Sequence, residues 1–290
     1  VDVITGRRQE KTTMILVTGA TGNIGSALVR QLHGSGASPV RGLTRDAARA
    51  SFPDGVEAVE GDLARPASLK PALEGVRSLF LVPGMGADAD VLTAARQAGV
   101  EHVVLVSSIT VRTHPHLPAA AGNLAVERLL RDSGMSWTIL RPTQFASNAL
   151  WWAASIREHR SIRVPYADIG LPAVHPADIA AVARGALTEP GHHGRTYALT
   201  GPERITPRQQ ARAIGAALGH EVSVEEIGRE EAHRQMTLFL GEQTAHAVLD
   251  LMGGDVNDEL LKVHDTVPSV TGSPARPFRQ WATENVTAFR

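Results

Sequence analysis

The chain has 290 residues, a formal net charge of -1 and no cysteine. A charge near zero gives nucleic acid or an anionic membrane no reason to be the main partner, and the missing cysteines exclude disulfides, thiolate catalysis and cysteine-ligated metal. No apolar run reaches the roughly 18 residues a membrane span needs, so the expectation is a cytoplasmic protein acting on a small molecule. The length fits one large α/β domain, or a cofactor domain with a smaller partner.

Residues 1–13 are polar and read as an N-terminal extension ahead of the fold. Met14 to Val17 is a short apolar run, Thr18 to Gly25 carries glycines at 19, 22 and 25, and Ile24, Leu28, Val29 and Leu32 follow at helical spacing. Strand, glycine turn and helix together form the context of a dinucleotide fingerprint. The turn lets the backbone approach a pyrophosphate, and the helix start offers unpaired N–H groups and a positive dipole end. Ser38 to Leu43 reads as a second strand closed by Thr44-Arg45-Asp46, Val56 to Val59 as a third followed by Gly61-Asp62-Leu63, and Arg77 to Val82 as a fourth ended by Pro83-Gly84. Asp88 to Ala98 has helical spacing with Gly99 as its C-cap. Val103 to Val106 is a fifth strand running into Ser107-Ser108, Leu124 to Arg131 a helix stopped by Ser133-Gly134, and Trp137 to Leu140 a sixth strand ended by Arg141-Pro142. Strands and helices alternating in this way predict an α/β fold, a doubly wound parallel sheet with right-handed connections.

Beyond Pro142 the rhythm changes. Phe145 to Ile156 reads as a helix. A second one opens at His175-Pro176-Ala177-Asp178 and runs through Leu187, with Pro176 suited to the first turn and Asp178 near the positive end. Thr196 to Leu199 reads as a strand, Thr206-Pro207 to Gly219 as a helix, Glu221 to Val224 as a short strand, and the remainder as mostly helical. The expected division is a Rossmann domain of residues 14–143 with 173–190, and a smaller substrate-covering α+β part of residues 144–172 with 191–290.

The expected dinucleotide contacts are Gly19, Thr21, Gly22, Asn23 and Ile24 from the turn, then Arg45, Asp62, Leu63, Pro83 and Ser107 along the strand ends. Arg45 stands where NAD-specific folds carry an acid for the ribose hydroxyls. An always-charged guanidinium suits a 2′-phosphate, so NADP(H) is expected over NAD(H), while Asp46 could cap the following helix. Asp62 suits either an adenine amino group or a turn cap. Gln144, Phe145 and Asn148, with Trp151 and Trp152, are candidate walls of a pocket for a flat aromatic substrate; either Trp serves equally well as core packing. His114 and His116 lie in a Pro-flanked loop able to roof the site and supply an acid, and Ser108 and His175 are further candidates. No His, Asp or Glu cluster has zinc-like spacing.

Gly19-Ala20-Thr21-Gly22-Asn23-Ile24-Gly25 resembles the glycine motif of the NmrA-like group of atypical short-chain dehydrogenase/reductases, actinobacterial members included. Leu43-Thr44-Arg45-Asp46, Gly61-Asp62-Leu63, Gly99 to Val104, Glu127 with Ser133-Gly134-Met135, Thr138 to Pro142, Asp178-Ile179-Ala180, Leu199 to Pro202 and Trp281 to Glu284 continue the resemblance. It implies NADP(H) binding and membership in a group containing quinone and dye reductases, redox-sensing regulators, and tailoring enzymes of aromatic polyketide pathways. The wider superfamily uses a Tyr with a Lys four residues on. Four residues before Lys11, Lys70 and Lys262 stand Arg7, Pro66 and Asp258, so that pair is missing. Where NmrA-like enzymes often carry Lys or His four residues before the helix Glu, this chain has Asn123, which donates a hydrogen bond to cofactor or substrate but delivers no proton. Quinone reduction tolerates this, because the hydride leaves a stabilised phenolate-like anion. The expected function is thus NADP(H)-dependent reduction of a quinone or conjugated aromatic carbonyl in secondary metabolism such as antibiotic biosynthesis, with Asn123, His114 and Ser108 as the catalytic candidates. The alternatives are a non-catalytic NADP(H) sensor and, third, a tailoring oxygenase in which the reduced aromatic substrate itself reacts with oxygen.

Overall fold

The computed structural model describes residues 13–36, 38–84 and 86–290, so all of the expected extension except Thr13 lies outside the described residues. The described residues form twelve strands: β1 (Met14–Val17), β2 (Val40–Thr44), β3 (Glu57–Glu60), β4 (Val76–Leu81), β5 (His102–Val106), β6 (Ser136–Pro142), β7 (Gln144–Phe145), β8 (Ser161–Val164), β9 (Leu171–Val174), β10 (Arg195–Leu199), β11 (Arg204–Ile205) and β12 (Ser223–Glu226). Seven make one parallel sheet in the order β10-β6-β5-β4-β1-β2-β3. The chain winds outward from β1 in one direction and then resumes at β4 on its other side. The carboxyl ends of β1 and β4 therefore flank the switch point at which such sheets bind ligands.

The apolar runs of the central strands follow from burial on both faces. Ile15 and Val17 of β1 face one core cluster while Leu16 faces the other, and Val104 and Val106 of β5 are opposed in the same way to Val103 and Leu105. The first face is covered by α1 (Asn23–Ser35). The second is covered by α2 (Lys70–Leu73), α3 (Asp88–Gln97) and, beyond the short α4 (Thr110–Thr113), α5 (Pro118–Asp132). Then come α6 (Ala153–His159) and α7 (Pro176–Thr188), the latter packing beside α1 through Ile179, Ala180 and Ala183. The remaining helices are α8 (Pro207–Leu218), α9 (Arg229–Leu240), α10 (Glu242–Leu249), α11 (Asp258–Leu261), α12 (Thr266–Thr271) and α13 (Phe278–Glu284). A third cluster, built on Ile156, Ile162, Ile214, Phe278, Trp281 and Phe289, is the core of the smaller part.

Four expectations are corrected. The helix expected over Leu124 to Arg131 begins at Pro118, where a proline without an N–H is tolerated in the first turn. Residues 145–156 are not one α-helix but β7, a 3₁₀ stretch over Ala146–Trp152 and then α6. β10, assigned by the sequence to the smaller part, is the seventh strand of the main sheet, paired in register with β6. β8 and β9 were not expected at all: they are four residues each, and Pro172 argues against a strand, yet β9 is the middle strand of a three-stranded sheet, between β11 and β7.

The glycine turn is set by two constraints. Gly19 has φ of 59°, in the left-handed region, and a Cβ on Gly25 would overlap the Gly19 carbonyl oxygen. Gly25→Ala should therefore cost about 1–3 kcal/mol through overpacking against backbone, read as a lower midpoint in thermal unfolding. An unchanged midpoint would show that α1 is free to move away from the turn.

Candidate active site

The phosphate cradle is built at the carboxyl end of β1. Thr18 is buried, and its Oγ1 accepts a hydrogen bond from the Val82 amide at 2.9 Å, fastening the end of β1 to the end of β4. The Gly22 amide donates to the Gly19 carbonyl at 2.9 Å, which closes the turn. Gly22 caps α1 without a side chain, and the first turn of α1 carries no acid. The leading amides of a 13-residue helix are thus left for an anion. Thr21, Gly22 and Asn23 are exposed on the rim, whereas the Ile24 side chain is buried in the core and only its amide can serve. With no side chain at 19 or 22 to fill it, this cradle fits a dinucleotide pyrophosphate.

At the ends of β2 and β3, Arg45, Gly61, Asp62, Arg65 and Ser68 line an open hollow. Asp46 turns away to cap the 3₁₀ turn at Ala47–Arg49, accepting from the amides of Ala48 and Arg49. Arg45 stays exposed, and among the described residues it has no ion-pair partner. The Asp62 carboxylate accepts from the Ala64 amide at 3.0 Å and from Arg65 at 3.0 Å. The amide bond and the Arg65 and Arg45 charges outweigh its partial desolvation and hold its carboxyl below the usual range. Asp62 is thus a turn cap in this structure. Leu63 packs against the second core cluster, and Pro83 is half-buried at the end of β4.

Glu127 of α5 is fully buried and organises the ends of β5 and β6. It accepts from Ser107 Oγ at 2.6 Å, from Arg141 at 2.6 and 2.8 Å, and from Arg131 at 3.1 Å. Burial pushes its carboxyl up, but the Arg141 and Ser107 hydrogen bonds and the two guanidinium charges prevail and hold it below the usual carboxylate range. The Ser107 hydroxyl is therefore directed at Glu127. Asn123, one turn earlier on the same face of α5, is half-buried and makes no side-chain hydrogen bond among the described residues.

Beside the cradle lies a cavity of about 270 Å³ whose lining contains no ionisable side chain. Ser108, Ile109 and Thr110 form its floor, Gln144, Phe145, Asn148 and Trp151 its wall, and Val248, Leu251, Met252 and Leu260 its roof. Ser108 Oγ accepts from the Thr110 amide at 3.2 Å and from Thr110 Oγ1 at 2.9 Å. Its hydroxyl lines the cavity and can rotate to donate there.

The chain matches the NAD(P)H-binding family over residues 19–190. It belongs to that family. A (4-alkanoyl-5-oxo-2,5-dihydrofuran-3-yl)methyl phosphate reductase of Streptomyces griseus is 40% identical over 285 residues, covering 95% of this chain and 99% of that protein. An NAD(P)H azoreductase of Xenophilus azovorans is 38% identical over 286 residues, covering 95% and 99%. The solved NADPH-dependent quinone oxidoreductase QOR2 of Escherichia coli, complexed with NADPH, superposes with a TM-score of 0.78 at 25% identity over 93% of this chain and 99% of that one. The negative transcriptional regulator NmrA shares the fold, with a TM-score of 0.72 at 18% identity over 96% of each chain. The Rossmann fold and NAD(P)H as cofactor are thus shown, among NAD(P)H-dependent reductases.

Within this NAD(P)H-binding protein, three sequence-based assignments need correction. Trp152 packs into the third core cluster, and it is Trp151, 64% exposed, that lines the cavity mouth. The expected α-helix pairs residue 148 with 152, but a 3₁₀ turn repeats every three residues, so 145, 148 and 151 align. His114 is fully buried, with Nδ1 2.9 Å from Thr113 Oγ1 and Nε2 donating to the Asp255 carbonyl at 2.8 Å. Both ring nitrogens are occupied, and it has no proton to offer the cavity. His175 is buried as the cap of α7, accepting from the Ala177 amide at Nδ1 and facing Glu284 from Nε2 at 3.1 Å. Of the other nominated residues, Ser108, Gln144, Phe145 and Asn148 do come together. The roof residues Val248, Leu251, Met252 and Leu260 were missed, since a mostly helical tail carries no mark of what it will cover.

Burial lowers His175 below the ordinary imidazole value against the pull of Glu284 and Asp178, with Arg276 adding to the lowering. A depressed value means that its contribution to stability is complete above about pH 6.5 and is lost as pH falls toward the folded-state value. His175→Asn, which can still accept the cap bond but does not titrate, should flatten the fall of the unfolding midpoint between pH 7 and 5. Equal slopes in the two proteins would assign the acid sensitivity to other groups.

Proposed function

We propose that this protein is an NADPH-dependent reductase of an uncharged quinone or conjugated aromatic carbonyl. The observation that carries the reading is the charge-free cavity at the ends of β5 and β6, on the same carboxyl edge of the sheet as the cradle, with the Ser108 hydroxyl in its lining. Its size suits one or two fused rings, near the lower end of the usual range for ligand pockets. The bound reduced nicotinamide supplies a hydride.

What the chain itself contributes is placement, exclusion of water and one donor. Gln144 and Asn148 orient the acceptor through their amides, Phe145 and Trp151 offer aromatic faces, and the apolar roof keeps water from the reacting carbon. Ser108 donates to the oxygen on which negative charge develops. A conjugated acceptor spreads that charge, so a neutral hydroxyl suffices where a simple ketone would call for an acid, in keeping with the missing Tyr–Lys pair. The azo and quinone acceptors named for relatives fit this demand. The phosphate ester named for another relative does not, because the cavity presents no cation to it. Arg45, exposed beside the adenosine end, supports NADPH over NADH. A cavity with a free donor also favours turnover over the sensor reading.

Quinone-dependent loss of NADPH absorbance, without stoichiometric oxygen uptake, is the expected result. No acceleration by any quinone would sink the proposal, and oxygen uptake matching NADPH loss would favour the oxygenase reading. Ser108→Ala should lower kcat roughly tenfold, less than at a full oxyanion hole because the product anion is delocalised, with NADPH affinity unchanged. Arg45→Ala should weaken NADPH binding by roughly tenfold or more while leaving NADH binding nearly as it was, since one charge-assisted hydrogen bond is at stake. Equal weakening for both cofactors would refute the role given to Arg45.

A further inference from the structure

The roof of the cavity is a short irregular segment pinned at both ends. Leu251 and Met252 sit in a π-turn over Asp250–Gly254, with Gly253 at φ of 148°. This turn would not hold itself: its backbone departs from helical geometry, and its two apolar side chains face the cavity rather than a packed core. At the leading end, Arg229 at the start of α9 donates to Asp250 Oδ1 at 2.6 Å and to the Tyr166 hydroxyl at 2.9 Å. Tyr166 comes from the turn between β8 and β9 and holds a left-handed backbone, φ of 53°. Tyr166 and Arg229 close tightly over the two glycines. A Cβ on Gly253 would lie 2.8 Å from Tyr166 Cβ, and one on Gly254 would overlap the Arg229 guanidinium. At the trailing end, His114 Nε2 holds the Asp255 carbonyl at 2.8 Å, and Asn257 Nδ2 donates to the Thr113 carbonyl at 3.0 Å.

We propose that the Tyr166–Arg229–Asp250 clasp is a positioning device for the acceptor, with Arg229 setting where Leu251 and Met252 stand over the cavity floor. The inference rests on reading that cavity as the acceptor site. Arg229 touches neither cavity nor cradle, so its loss acts through the roof. With side-chain exposures of 33% and 21%, the Arg229–Asp250 pair adds little as a surface ion pair; its consequence is geometric. A roof released from the clasp lets water reach the acceptor and leaves a flat ring loosely held.

The test uses the full chain and the variants Arg229→Met, Arg229→Lys and Tyr166→Phe, with 2-methyl-1,4-naphthoquinone as acceptor. NADPH affinity, kcat, KM for the quinone and amide exchange over residues 250–254 are measured together. Arg229→Met should raise KM roughly tenfold, the equivalent of one charge-assisted hydrogen bond, speed exchange over residues 250–254, and leave NADPH affinity and Rossmann-domain exchange at wild-type values. Arg229→Lys should recover part of the KM, because an ammonium can still meet Asp250. Tyr166→Phe, the mildest change, should move KM in the same direction by less. A wild-type KM and wild-type exchange in Arg229→Met would overturn the clasp, as would NADPH affinity falling in step with KM. If the wild-type protein reduces no acceptor, the reading of the cavity fails instead. Exchange over residues 250–254 and quenching of Trp fluorescence by the quinone then decide the clasp alone, and no difference between wild type and Arg229→Met overturns it.

Discussion

The carboxylate of Glu127 is the contact on which the reactive edge of the sheet depends. It is fully buried, and it gathers Ser107 from the end of β5, Arg141 from the end of β6 and Arg131 from its own helix. A buried ion pair is poor evidence for net stability, since desolvation offsets much of the attraction, yet removing one partner strands a charge at a cost of about 3–5 kcal/mol. Its contribution here is geometric. By taking the Ser107 hydroxyl, Glu127 sets the strand end so that the next residue, Ser108, turns to the cavity. By holding Arg141, it directs the chain out of β6 into the wall at Gln144 and Phe145. The floor and the wall of the cavity thus share one anchor.

Around that anchor the molecule divides its labour by chemistry. The cradle is backbone: free amides at the start of α1, a left-handed Gly19, and a close approach at Gly25 that leaves no room for a side chain. The hollow at the ends of β2 and β3 is charged and open, with Arg45 and Arg65 at the rim. The cavity carries no charge, and its roof comes from helices far along the chain. Under the proposed reading such a site works by placement and water exclusion, and most of the residues that line it lie outside the main sheet. His114 shows the same economy: nominated as an acid, it instead ties the loop after β5 to the segment that bears the roof through Nε2, while Nδ1 meets its neighbour Thr113.

How much was legible in the sequence followed the range of the interactions. β1, α1 and the glycine turn are written in adjacent residues, and they stand as expected. Asp46 as a cap was legible for the same reason. The 145–152 stretch was not, because residues of mixed propensity take the 3₁₀ or the α period according to what they pack against. The choice of Trp151 over Trp152 turned on that single difference of period. β9 was hidden by Pro172, a residue that argues against an interior strand although β9 lies between β11 and β7, and the placement of β10 in the main sheet depended on an in-register match with β6. The histidines were the least legible, since whether an imidazole caps a helix, pins a loop or donates a proton depends on partners more than a hundred residues away.

By itself, the sequence determined the doubly wound parallel sheet, the dinucleotide cradle and the absence of a Tyr–Lys acid, because each of these is a local pattern: an apolar run, a glycine spacing, a missing residue pair. Only the tertiary structure decided that the Ser107 hydroxyl is taken by Glu127, which tryptophan lines the cavity, that its wall is uncharged, and that residues 248–260 cover it. Those outcomes arise from contacts between distant segments, where the buried Glu127, the 3₁₀ turn and the clasp at Arg229 choose among side-chain directions that the local sequence leaves equal.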